Sequence, residues 1–255
     1  MDVRLIRNAT LRLDYGGHRF LIDPMLSVRN AIRPMGDSPE RNPTVELPVS
    51  VDEVLANVDT VLVSHLHPDH WDDAATGLVP RTLPMVCQPG DEEKLGSIGF
   101  TPRVLDAPIT VGDVEITPTD GEHGHGEVLE KMGAATGFLF RAPGEPTLYW
   151  VGDTVLCDPV RDVIAAEAPD VIITHSGGAR YGGDTILMDV AETLEVATLA
   201  PAATVIAVHL EAVAHAPVTR AGLRAAADAA GVSPARLVIP ADGETVHIGA
   251  PTPVG

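Results

Sequence analysis

The sequence predicts a layered α/β (α+β) protein, and three observations carry that expectation. The first part of the chain is rich in short strand-like runs joined by hairpin signals. The second part alternates apolar strand-like runs with helical stretches, as proteins built from packed sheet and helix layers do. No linker-like stretch divides the 255 residues and no short-period repeat is visible, so residues 1–255 read as a single domain.

The elements follow in order. Val3 to Ile6, Thr10 to Leu13 and His18 to Ile22 are strand-like, with Gly16-Gly17 as a hairpin turn between the last two and Asp23-Pro24 as a stop. Residues 24–50 are punctuated by Pro34, Pro39, Pro43 and Pro48 and carry Arg29, Arg33 and Arg41. A loop of that length inside a compact domain is either functional or a disordered insertion, and we read it as a lid or wall over a site. Val51 to Ala56 suggests a short helix, and Thr60-Val61-Leu62-Val63 a buried strand. Trp71 and Asp72 are expected to begin a helix, where an Asp favours the N-terminus. Met85 to Cys87 reads as a strand and Gly90 to Leu95 as a short helix. Val104-Leu105, Val114 to Thr117 and Ala135 to Phe140 continue the β series. Thr147 to Val151 is a strand running into Gly152-Asp153-Thr154. A helix over Val160 to Ala168, a strand over Val171 to Thr174 and a helix over Thr185 to Leu199 come next. Ala203 to Val208 is a strand, Thr219 to Ala230 a helix, and Arg236 to Ile239 a last strand.

Composition narrows the class. Aromatic residues are only 4% of the chain, so the core must be built from Val, Ile, Leu and Ala. No apolar run approaches the roughly 18 residues that cross a bilayer. The opening Met1-Asp2-Val3-Arg4-Leu5 has no signal-peptide-like apolar stretch, which predicts a cytoplasmic protein without membrane contact. In that compartment Cys87 and Cys157 are expected to be small buried hydrophobes rather than a disulfide, with Cys157 close to the Gly-Asp-Thr turn. The net charge is −19 and no Lys or Arg run offsets it, so the chain's field repels polyanions and disfavours nucleic acid as a partner.

The chemistry is concentrated in Ser64-His65-Leu66-His67-Pro68-Asp69-His70-Trp71-Asp72. Three imidazoles and a carboxylate fall within six positions, directly behind a core strand. His65 and His67 are two apart, so they project to the same side while the backbone stays extended, and the Pro68 turn fans out Asp69 and His70. Imidazole and carboxylate donors at this density suit zinc and its neighbours. A solvated His-rich surface loop is the bland alternative, and loops of that kind do not usually follow a buried strand. Further donors are needed, and the chain offers them at strand ends: His123 and its competitor His125 on either side of Gly124, Asp153, and His209.

Taken together, His65-Leu66-His67-Pro68-Asp69-His70, His123, Asp153 in Gly-Asp-Thr, and His209 resemble the metallo-β-lactamase-fold hydrolase superfamily. The resemblance runs from the N-terminal strands through His209. The opening, with Asn8-Ala9-Thr10, Gly16-Gly17 and Leu21-Ile22-Asp23-Pro24, is similar to the branch that includes ascorbate-6-phosphate lactonase and uncharacterised zinc-dependent relatives. The resemblance implies a four-layer αβ/βα sandwich and a dinuclear site. One divalent ion would take His65, His67 and His123; the other Asp69, His70 and His209; Asp153 would bridge them. The family pattern favours His123 over His125. Zinc is the first expectation, with manganese or iron as alternatives. True class B1 β-lactamases carry Cys near the position of Asp153, so antibiotic hydrolysis is not implied.

The implied activity is hydrolysis of a small-molecule ester, lactone or phosphoester by a hydroxide bridging two metals, with Asp69 and Asp153 holding the ions and orienting the nucleophile. Charge counting leaves about one net positive charge at such a centre, which suits an anionic substrate or a carbonyl oxygen. A superfamily nuclease and a non-catalytic metal-binding or ligand-sensing scaffold are the alternatives, and a homo-oligomer remains open.

Several neighbours are second-rank candidates. Glu211 and His215 follow His209 and read as groups that orient a ligand or donate a proton to the leaving group. His175 leads into Ser176-Gly177-Gly178-Ala179-Arg180-Tyr181-Gly182-Gly183, where glycine amides and Arg180 could grip an anion, or the stretch could be a plain connection. Asp23 either holds a ligand His by a hydrogen bond or only starts a turn.

Overall fold

The computed structural model describes residues 1–249. The chain begins as a meander, β1 (Asp2–Arg7), β2 (Thr10–Tyr15) and β3 (His18–Ile22). Residues 24–50 then cross the surface to α1 (Val51–Leu55), β4 (Thr60–Val63), α2 (Asp73–Leu78), β5 (Met85–Cys87), α3 (Glu92–Ser97) and β6 (Pro102–Val104). A second meander holds β7 (Ile109–Val111), β8 (Val114–Thr119), α4 (Glu127–Met132), β9 (Gly137–Arg141) and β10 (Leu148–Trp150). The remaining elements are α5 (Asp158–Glu167), β11 (Val171–His175), a hairpin of β12 (Arg180–Tyr181) and β13 (Asp184–Thr185), and α6 (Val190–Leu199). They are followed by β14 (Thr204–Val208), α7 (Arg220–Ala229), β15 (Leu237–Val238) and β16 (Thr245–His247).

Two seven-stranded sheets result, in the orders β16-β1-β2-β3-β4-β5-β6 and β15-β14-β11-β10-β9-β8-β7. Strand alternation sorts side chains between layers. Leu62 of β4 enters the cluster between the sheets, while Val61 and Val63 face the helices. Val171 and Ile173 of β11 point inward, and Ile172 points out. The outer face of the first sheet is covered through Val54, Ala75 and Leu95 of α1, α2 and α3. The outer face of the second sheet is covered through Val160, Val196 and Leu223 of α5, α6 and α7. The architecture is the four-layer αβ/βα sandwich of the metallo-β-lactamase fold.

Several boundaries differ from expectation. The helix expected from Thr185 starts only at Val190, because Asp189 and Glu192 form a reciprocal capping box and Thr185 belongs to the hairpin. Trp71 and Asp72 do not begin α2: Asp72 is its cap, accepting from the Ala75 amide, and Trp71 packs edge-on against Phe100. The helix expected at Gly90 begins two residues later, at Glu92. Arg236 to Ile239 is not the last strand, since β16 returns to pair with β1 in the first sheet. Strand β7 and helix α4 were not foreseen; both are short and lack a clear apolar period. Cys87 and Cys157 are buried and free.

Candidate metal centre

The site lies where the sheets open, at the C-terminal ends of strands from both. His65, Asp69 and His70 follow β4, His123 follows β8, Asp153 follows β10, His175 ends β11, and His209 follows β14. Two groups of donors form there: His65, His67 and His123; and His70, Asp153, His175 and His209. Asp69 joins the second group, its Oδ2 lying 3.2 Å from His209 Nε2. The structure therefore brings together His65, His67, Asp69, His70, His123, Asp153 and His209, and adds His175. His125 is left outside, exposed beside Glu122. His175 Nδ1 sits 2.5 Å from Asp153 Oδ1, while its Nε2 is buried without a partner.

The outward ring nitrogens of His65, His70 and His123 are already committed. His65 Nδ1 meets Ser64 Oγ at 2.9 Å, and that hydroxyl donates to Asp23 Oδ2 at 2.7 Å. His70 Nδ1 donates to the same Asp23 oxygen at 2.7 Å, and His123 Nδ1 donates to the Ile186 carbonyl at 2.8 Å. In the neutral ring each bond places the proton on the outer nitrogen and leaves a lone pair facing inward. Those inward atoms crowd: His65 Nε2 and His67 Nδ1 are 2.9 Å apart, His123 Nε2 and His67 Nδ1 3.3 Å. Donors bound to a tetrahedral ion at about 2.0–2.1 Å sit about 3.3 Å from one another. The donor set thus fits a cation, which three convergent ring nitrogens at these spacings can share.

The second group shows the same need. Burial opposes a charge on His70, but Asp153, Asp23 and Asp69 outweigh it and raise its pKa well above the usual imidazole value. Burial pushes Asp69 and Asp153 up, yet the facing imidazoles, His70 foremost, hold both well below the ordinary carboxylate range. Without metal, a proton on His70 offsets part of the charge of the ionised Asp69 and Asp153; a divalent ion can take that proton's place. Burial leads in lowering His123 to about 4, so its ring is neutral and competent to ligate near pH 7.

The surroundings fix these groups. Asp23, buried at positive φ, also accepts the Ser64 amide at 2.8 Å. Asn8, named above for the resemblance of the opening but given no role in the site, places its Nδ2 3.2 Å from both the Asp69 carbonyl and His209 Nε2. Apart from that opening, its signal in the sequence is an Asn in a tight turn, since Asn tolerates the positive φ found there. His209 itself has φ +60, a strained state for a side chain of this size. Gly177 lets the β11 and β14 ends approach: a Cβ there would lie 2.3 Å from the His209 carbonyl oxygen.

Two expectations are corrected. Glu211 does not reach the donors; its carboxylate binds Arg220 Nη1 at 2.7 Å and caps the Arg220 amide at 2.9 Å. The glycine-rich stretch is no anion grip around Arg180. That side chain is exposed, and the Ser176, Gly178 and Arg180 amides already donate to the Val208, Met188 and His215 carbonyls. The Gly182 and Gly183 amides instead hold the Asp37 carboxylate at 2.7 and 2.9 Å, tying the hairpin to the long loop.

A cavity of about 430 Å³ opens above the donors, with His67, Asp69, His123, Asp153 and His209 in its floor. Pro34, Met35, Met132, Tyr181, Ile186 and Leu187 form much of its wall. Of residues 24–50, Pro34, Met35 and Gly36 line the cavity, and the loop is pinned by the buried Arg7 guanidinium on the Met25, Ser27 and Val45 carbonyls. No Lys or Arg lines this cavity among the described residues.

A model of the beta-lactamase superfamily domain matches residues 18–210. The chain belongs to the beta-lactamase superfamily. Within that superfamily it is 36% identical over 252 residues to UPF0173 protein YddR of Bacillus subtilis, covering 96% of this chain and 99% of that one. A UPF0173 metal-dependent hydrolase of Xanthobacter autotrophicus is 28% identical over 189 residues, 69% of this chain and 72% of that one. The crystal structure of a possible metal-dependent hydrolase from Veillonella parvula superposes with a TM-score of 0.93 at 34% identity, covering 97% and 99% of the two chains. That of isothiocyanate hydrolase from Delia radicum gut bacteria gives 0.92 at 36% identity, covering 98% and 100%. The protein is a metal-dependent hydrolase, and no helix among the described residues is long and apolar enough to cross a membrane.

Proposed function

We propose that this enzyme hydrolyses small, neutral electrophiles of the isothiocyanate type at a dinuclear centre, zinc being the first candidate and manganese or iron the alternatives. The observation that carries this is the cavity: polar at its floor, apolar along most of its wall apart from His215 and Tyr181, and without a Lys or Arg among the described residues. A phosphoester or other anion would meet no basic group there, which turns the reading away from phosphoesters and nucleic acid. Esters and lactones remain the second choice, because they offer the same electrophilic carbon without a charge. The 36% identity to an isothiocyanate hydrolase over nearly the whole chain supports the first choice.

His65, His67 and His123 would hold one cation, and Asp69, His70 and His209 the other, with Asp153 between them. His175 is within reach of the second. Cations bound there supply Lewis-acid polarisation of the electrophile and make water acidic enough to ionise near neutral pH. The chain's own part is to keep Asp69 and Asp153 ionised as acceptors for the attacking water, to hold the imidazoles by Asp23, Ser64 and the Ile186 carbonyl, and to exclude bulk solvent with the loop and hairpin. For an isothiocyanate the balance is one water consumed: oxygen joins the central carbon, nitrogen gains the protons, and the C–N bond breaks to give an amine and carbonyl sulfide.

The test is elemental analysis of the purified protein, then turnover of allyl and benzyl isothiocyanate, phenyl acetate, a γ-lactone and bis-p-nitrophenyl phosphate. The reading expects about two metal ions per chain and the highest kcat/KM on an isothiocyanate. Turnover confined to the phosphodiester would overturn it.

A further inference from the structure

His215 lies in the cavity wall but outside both donor groups. It is only 7% exposed, its Nδ1 is buried without a partner, and its ring makes no hydrogen bond among the described residues. Nδ1 is sealed from solvent, so Nε2 is the nitrogen that meets the cavity. An unpartnered imidazole at this burial costs free energy unless something else uses its donor or acceptor.

The position is built rather than incidental. The loop carrying His215 is held by the Asn42 side chain, which accepts the Ala214 amide at 2.8 Å, and by the Thr44 amide, which donates to the Ala212 carbonyl at 2.8 Å. The Arg180 amide donates to the His215 carbonyl at 3.1 Å. Gly36 packs directly on the ring, where a Cβ would come 2.7 Å from His215 Cβ and 2.9 Å from Cγ. Two chain segments that also contribute to the cavity wall, the 24–50 loop and the β12–β13 hairpin, therefore converge on the loop that carries this imidazole.

We propose that His215 is the substrate-orienting group of the cavity, donating a hydrogen bond from Nε2 to the heteroatom beside the electrophilic carbon. In an isothiocyanate that atom is nitrogen, where negative charge grows as oxygen joins carbon. Burial lowers the His215 pKa, so the ring is neutral near pH 7. A neutral ring polarises by a hydrogen bond, which is the orienting one of the two roles read from the sequence. The atom assignment rests on the isothiocyanate reading, but the orienting role does not.

The test uses the zinc-loaded full-length protein. His215→Phe keeps the ring shape and is expected to lower kcat/KM for benzyl isothiocyanate about 100-fold with zinc content unchanged. His215→Gln, which keeps a donor, recovers about a tenth or more of wild-type kcat/KM. Independently, N-benzylthiourea added to the wild type should shift the His215 ring signals in nitrogen–proton correlation spectra. Wild-type kcat/KM in His215→Phe, zinc loss in that variant, or His215 signals unmoved at millimolar thiourea would each overturn the proposal. If the wild type hydrolyses no isothiocyanate, the substrate reading fails, and the thiourea spectra decide His215 alone.

Discussion

Replacing Asp23 tests whether the centre depends on a side chain that touches no substrate. Asp23 is fully buried and serves three donors: the Ser64 amide at 2.8 Å, Ser64 Oγ at 2.7 Å and His70 Nδ1 at 2.7 Å. Asn is the right substitution, since it keeps the shape and tolerates the φ of +47, where Ala would add strain. With its oxygen turned toward His70 and Ser64 Oγ, the new amide group faces the Ser64 N–H and leaves that donor unpaired. One unsatisfied buried donor costs about 1–3 kcal/mol. The lost carboxylate charge also weakens the hold on His70, and partners of this kind are worth about 10–100-fold in metal affinity. Asp23→Asn should therefore lower urea stability by about 2 kcal/mol and weaken zinc binding by at least about 10-fold. Unfolding in urea with chelator present gives the first number, and competition against a chelator of known affinity gives the second. An Asn variant that is destabilised yet binds zinc as the wild type does would refute the reasoning, leaving Asp23 as a turn residue only.

Three further outcomes follow from the geometry. His123 has a pKa near 4 in the folded chain against 6.5 unfolded, so the unfolded state binds the extra proton as pH falls below 6.5. Chelator-treated protein should lose about 3 kcal/mol of stability between pH 6.5 and 4 from this group, and His123→Asn should flatten that slope in urea titrations. His125→Ala should leave metal content unchanged while His123→Ala lowers it; the reverse result by elemental analysis would exchange their roles. Gly177→Ala drives a methyl into the His209 backbone at 2.3 Å, and thermal unfolding should show a loss of about 2–4 kcal/mol together with weaker zinc binding.

Local chemistry made much of this protein legible. The apolar β-branched run Thr60–Val63 is a strand, and every second residue of β10, β11 and β14 faces the inter-sheet core, because burial on both faces demands continuous apolar sequence. The short elements β7 and α4 were invisible, since few residues of weak pattern are held mainly by their neighbours. His175 and Asn8 carry no local sign of their company: one ends an ordinary core strand, the other fills a turn. Glu211 looked suited to the site by proximity in sequence, yet a turn at positive φ aims it at Arg220.

The sequence by itself determined the layered fold, the donor-rich turn behind a buried strand and the superfamily, because periodicity and ligand spacing are properties of neighbours along the chain. Only the tertiary structure decided which outer nitrogens carry protons, that His175 joins the second group, and that Arg180 and Glu211 stand apart. It also decided that the cavity is walled by apolar groups with His215 unpaired among them. Those facts depend on where strand ends from two sheets meet, and a distance across space is not encoded by any local pattern.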